Sequence, residues 1–153
     1  MVETVLAVLF VSFLFLALFR LSCMLTSRVM LQHAAMRVAR ARSVGFNDYM
    51  CRKSARVAVI PVAGRRTWPA EGEIDAAMEE ARVAAYMATA DEAEARGVLD
   101  YERWDALRVD PGDGRSSDVS MDFEMFDGEW KLGLSGEAGV ESNHLLYMND
   151  AGR

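Results

Sequence analysis

A chain of 153 residues with a formal net charge of −6 has room for one domain, and a long apolar helix at its start leaves only a small head to build a core. Two cysteines exclude a scaffold held by disulfides. The charge is divided: Arg20 to Arg66 holds ten Lys and Arg against one acid, Asp48, whereas Thr67 onward holds seven against twenty-one acids.

The chain opens MVETVLAVLFVSFLFLALFR, and from Val5 to Phe19 every residue is apolar except Ser12, with no Gly or Pro to break a helix. That run is about 22 Å of helix, so crossing the roughly 30 Å core of a bilayer takes the span through LSCML to about Leu25. Arg20 then falls inside the span, near the end where its long side chain can snorkel to the headgroups. A cleavable secretory signal fits poorly: no basic stretch precedes the run, the run taken on to about Leu25 exceeds the usual roughly 7–15 residues, and no small-x-small site follows it.

Ala, Met, Val and Arg dominate TSRVMLQHAAMRVARARSVGFNDYMCRKSARVAVI, and its first helix breaker is Gly45. One interrupted helix to about Ala55 is expected. Along it Cys23 and Cys51 would lie roughly 42 Å apart, too far to pair within one chain. Basic residues on one helix, with few aromatics and an apolar span beside them, do not suggest a nucleic-acid partner. The stretch is either a solvated juxtamembrane face or a contact for acidic surfaces.

With its apolar helix, one Glu near the start and the Gln and small-residue stretch LQHAAMRVARA, the sequence MVETVLAVLFVSFLFLALFRLSCMLTSRVMLQHAAMRVARA resembles the N-terminal helix of the type IV pilin superfamily, most closely TadE-like pilins and pseudopilins. The resemblance covers roughly residues 1–60, with a variable head after them. It implies a leader ending in Gly that a prepilin peptidase removes, a pilus assembly machinery, an inner-membrane stage, and then an extracellular surface filament. It also implies that Glu3 pairs with the terminal amine of an adjacent subunit. An unpaired carboxylate in the dry centre of a helix bundle is costly, and a neighbour's ammonium offsets much of that cost. The simpler role for Glu3 is to favour a helix N-terminus through the macrodipole. In such a homopolymer Val5, Leu9, Phe13, Leu16 and Arg20 would line the helix bundle. Arg37, Arg40, Arg42, Arg52 and Lys53 would face acidic heads of adjacent copies.

VAVIPVAGRRTWPAEGE carries Pro61, Gly64, Pro69 and Gly72 and should end the long helix in a connector. In EIDAAMEEARVAAYMATADEAEARG, Ile74, Met78, Ala81, Ala85 and Ala88 recur at helical spacing opposite acids, and Gly97 is a natural stop. DYERWDALR reads as a second short helix with Tyr101, Trp104 and Leu107 or Arg108 on a core-facing side. VSMDFEMF alternates Val119, Met121, Phe123 and Met125 against polar residues, a half-buried strand. Asp127 and Gly128 turn it into EWKLGL, where Trp130, Leu132 and Leu134 alternate, a strong hairpin signal. HLLYM, His144 to Met148, is a candidate third strand.

His33 and His144 sit in no metal-ligand spacing, and no phosphate loop, nucleophile elbow or HExxH is present, so neither an enzyme nor a cofactor is expected. Asp110, Asp113 and Asp118 around Gly112 and Gly114 are weak Ca²⁺ candidates, since their spacing departs from the EF-hand and suits an ordinary turn. The expected fold is α+β: an N-terminal membrane or filament-core helix at 1–60, a connector at 61–72, and an acidic head at 73–153 with one or two helices on a short antiparallel sheet. The expected function is a structural filament subunit. Its rival is a single-pass membrane-anchored binding or scaffolding protein that does not polymerise, whose basic segment the positive-inside rule would place in the cytoplasm.

Overall fold

The computed structural model describes residues 2–69, 76–112, 116–125 and 130–139. The fold is α+β, with a long N-terminal helix, three shorter helices and two small antiparallel sheets among the described residues. Helix α1 (Val2–Ser43) is continuous through the apolar run and into the basic stretch. It does not continue to Ala55. Gly45 adopts φ +95°, a left-handed conformation that favours glycine, and its N–H donates to the Arg42 carbonyl while that of Phe46 donates to Ala41, which caps the helix end. Asn47 then caps helix α2 (Asp48–Ala58) by accepting from the Met50 N–H at 2.9 Å. Helix α2 packs against α1, joined to its foot by the Arg42–Asp48 ion pair at 2.8 Å. Both cysteines are free, Cys23 exposed on α1 and Cys51 buried in α2.

The connector holds a 3-10 turn at Ile60–Val62 and strand β1 (Arg66–Trp68), which pairs with β2 (Asp100–Tyr101). Between them lie α3 (Ala76–Ala88) and α4 (Glu92–Val98), two helices where one was expected. The face expected to be buried is not: Met78, Ala81, Ala85 and Ala88 are exposed, while Tyr86 is fully buried with Val83 and Met87 packed beside it. Ile74 lies outside the described residues. The DYERWDALR segment forms β2, a single 3-10 turn at Trp104–Ala106 and strand β3 (Leu107–Asp110) instead of a helix. Its aromatics are core residues as expected: Tyr101 and Trp104 are buried, and Trp104 stacks obliquely on Tyr86 and Tyr101 at 5.1 and 5.0 Å.

Strand β4 (Ser116–Met125) lies between β3 and β5 (Trp130–Gly139) in a three-stranded antiparallel sheet. The β4–β5 register pairs Met121 with Leu134 and Phe123 with Leu132, the pairing a turn at Asp127 and Gly128 demands. Those two turn residues, and the HLLYM segment, lie outside the described part. The inner face of the sheet carries Val119 and Met121, both buried, and the lower half of α1 lies across it. Closest approach is at Gly136, where an added Cβ would stand 2.4 Å from the Gln32 nitrogen and the Leu31 carbonyl carbon. Ser117, buried next to it, donates its hydroxyl to the Ala35 carbonyl at 2.6 Å. Leu31, Ala34, Ala35 and Val38 of α1 thereby share one core with Cys51 and Ala55 of α2, Tyr86, Trp104 and the sheet.

Candidate functional site

Two halves of α1 differ in what covers them. From Val2 to Leu25 every residue is exposed except the half-buried Met24, and the helix is long and apolar enough to cross a membrane by length and composition. That stretch is about 36 Å of helix, beyond the roughly 30 Å bilayer core. Ser27 is the first buried residue, and its hydroxyl donates back to the Cys23 carbonyl. Below it Leu31, Ala34, Ala35, Val38 and Ala39 are wholly buried by the head. An apolar surface this large and contiguous on a folded chain marks contact with lipid or with other protein.

Glu3 stands in the first turn of α1 and is exposed. Val5, Leu9, Phe13 and Leu16 are all exposed, at 60–68%. Thr4 and Ser12 interrupt the apolar wall and, with Val5, Val8 and Leu9, line a shallow open groove along the helix of about 460 Å³. Arg20 is exposed, on the side of α1 that becomes the head-facing side one helical stretch below.

The basic stretch separates into two groups. Arg37 and Arg40 are exposed on the side of α1 turned away from the sheet, with Val29, His33 and Met36 on the same stripe. No ion pair joins either arginine to a described residue. Arg52 is exposed, whereas Lys53 is fully buried, which corrects the expectation that it faces a neighbouring head. Its ammonium donates to the Thr89 carbonyl at 2.6 Å and hydroxyl at 2.7 Å, and lies over the Tyr49 and Tyr86 rings at 4.6 and 5.3 Å. Lys53 thus ties α2 to the end of α3 inside one subunit.

Arg56, next on α2, bonds Glu92 at the start of α4 at 2.8 Å. The Arg56 hydrogen bond holds the Glu92 carboxyl below its usual range, while burial opposes it. Burial also works against the Arg56 charge, but Tyr86 and Glu92 outweigh it and keep the guanidinium firmly protonated. Burial pushes the Tyr86 hydroxyl up, with Arg56 pulling the other way. The Cys51 thiol is likewise raised by burial, so it is a packing group and a poor nucleophile at neutral pH.

The Ca²⁺ candidates do not converge into a site. Asp110 accepts from the Gly112 N–H at 3.0 Å, an ordinary turn bond, Asp118 pairs with it across strands, and Asp113 lies outside the described residues. Among the described residues no group of three His, Cys, Asp or Glu could hold a metal ion. His33 is exposed and His144 lies outside the described part. One acid escaped the sequence reading: Glu137, which the β4–β5 register sets directly beside Asp118. Counting residues outward from Asp127 and Gly128 pairs the two and was the available signal.

No family model, curated protein or solved structure matches this chain. The geometry of α1 therefore carries the functional argument.

Proposed function

We propose that this chain is a structural subunit of a helical cell-surface filament of the type IV pilin kind, polymerising through the upper half of α1. One observation supports this above others: the apolar span is bare along its whole length, yet the same unbroken helix forms part of the head's core. A tether needs only to hold a head near a membrane, and a flexible linker does that. A rigid helix gives every copy the same angle between span and head. Identical copies repeating one head-to-tail contact whose rotation does not close into a ring then build an open helix. In that assembly the span of one copy replaces lipid around another, Val5, Leu9, Phe13 and Leu16 form the bundle, and Glu3 meets a neighbour's terminal amine. Before assembly the same span holds the subunit in the inner membrane, and a prepilin peptidase and assembly machinery act on it.

Electron microscopy of the sheared surface fraction, with mass spectrometry of the chain's N-terminus from the same sample, tests this. Thin filaments composed mainly of this chain are expected. A chain that stays wholly in the membrane fraction would overturn the reading.

A second reading draws on Arg28, Arg37 and Arg40, exposed just below the span, where the positive-inside rule favours the cytoplasm. The chain would then be a single-pass anchor for a cytoplasmic module. Protease added to intact cells separates the two, because digestion of the head from outside rules out the module.

A further inference from the structure

The sheet has two faces, and the second of them, away from α1, is acidic. Asp110, Asp118 and Glu137 pair in register across β3, β4 and β5, and residues so paired project from the same face. All three are exposed, while their sequence neighbours Val119 and Ala138 are buried on the other face. Three carboxylates in one cross-strand row repel one another. Among the described residues the only basic side chain described on this face is Arg108, and it leans toward Asp122 at 3.7 Å instead. Among the described residues no ion pair joins this row to a cation.

Two cations and an imidazole donor lie on the opposite side of the molecule. His33, Arg37 and Arg40 lie on the exposed stripe of α1, with the sheet standing between them and the carboxylates. Their rises along the helix are about 6 and 4.5 Å. The carboxylate row steps across strands at about 4.8 Å. Three donors and three acceptors therefore span nearly the same length, about 10 Å each, when the helix crosses the strands.

We propose that the His33–Arg37–Arg40 stripe of one copy docks across the Asp110–Asp118–Glu137 row of a second copy of this chain. The inference rests on the filament reading and names one of its contacts. Because donor and acceptor lie on opposite sides of one subunit, the contact is head-to-tail and leaves both partners with a free half to continue. Lipid headgroups are a poor alternative for the stripe. Arg37 lies about 18 Å below Leu25 along the helix, past the headgroup layer and beyond a Debye length of about 8 Å.

The full-length Arg37→Lys chain in its native membrane keeps the charge and supplies an amine that a zero-length carbodiimide joins only to a carboxylate in contact with it. Mass spectrometry should find the cross-link from position 37 to Asp110, Asp118 or Glu137. The yield should fall at least tenfold when Asp118→Arg and Glu137→Arg are added. Separately, chains with Arg37→Glu and Arg40→Glu, and chains with Asp118→Arg and Glu137→Arg, should each lose self-association, and mixing the two should restore it. No cross-link to the row, or self-association unchanged by either reversal, overturns the contact. Microscopy of the same samples keeps the two ideas apart: filaments without the cross-link refute this contact alone, and the cross-link without filaments supports it while refuting the polymer.

Discussion

Lys53 shows how little a charge in the sequence says about where it points. It sits among Arg52 and Arg56 in a stretch that reads as one basic surface, yet it is the fully buried member. The reason is spatial: the end of α3 leaves the Thr89 and Met87 carbonyls facing inward, and an ammonium on a long stem is what reaches them. Lys53→Met preserves the volume but orphans those acceptors, so a loss of about 2–3 kcal/mol is expected. For a chain of this size that is roughly 5–10 °C in Tm, read by thermal unfolding in mild detergent. The Arg56–Glu92 pair makes a pH prediction. A carboxyl whose folded pKa is depressed contributes stability above its unfolded pKa, ordinarily about 4.3, and loses it as pH falls through the folded value. Tm should therefore fall more steeply for the native chain than for Glu92→Gln between pH 6 and pH 3. The difference is modest, because the Glu92 side chain is 41% exposed and water screens the pair.

At the level of helices and strands, legibility followed the size of the buried side chains. Strand β4 and the alternation of β5 were readable because Val119, Met121, Phe123 and Leu134 are large and spaced by two. The α3 face was misread because its alanines suit either side of a helix: a methyl gains little on burial, and Tyr86, Val83 and Met87 decided the orientation. Strands β1, β2 and β3 are two to four residues long, too short for any periodicity to register. The reversal after α1 was half legible. Gly45 was recognised as a breaker, but α2 has helical composition on either side of a turn, and composition carries no direction. Asn47→Ala removes the α2 cap and should cost about 1 kcal/mol, measured by denaturant unfolding. Gly136→Ala tests the helix-to-sheet approach: its methyl would overlap the Leu31–Gln32 peptide, so α1 must lift from β5, at about 1–3 kcal/mol or more. The same assay should show Gly133→Ala, whose Cβ would meet Asp122 at an ordinary 3.4 Å, far less affected.

Taken whole, the molecule is an exposed apolar rod set into an acidic head, and its location depends on the rod. Phe13 lies at the middle of the span, so Phe13→Lys should weaken insertion by about 2.5–3.5 kcal/mol, while Phe13→Leu leaves it intact. Carbonate extraction of membranes reads the difference, expected to be more than tenfold in the insertion equilibrium. If the chain polymerises as proposed, filament stability should also decline from low to high ionic strength, since added salt weakens solvent-exposed ion pairs; filaments indifferent to salt would remove charge pairing from the assembly. The way the head holds α1 has a mechanical corollary. Leu31 to Ala39 are gripped over more than two helical turns by β4, β5 and α2 together. A pull on the head along the helix axis loads those contacts in shear, all at once, so they share the force instead of peeling in sequence. Detachment of the head under tension is then governed by its unfolding rate, which makes the rod and its grip a load path as well as an anchor.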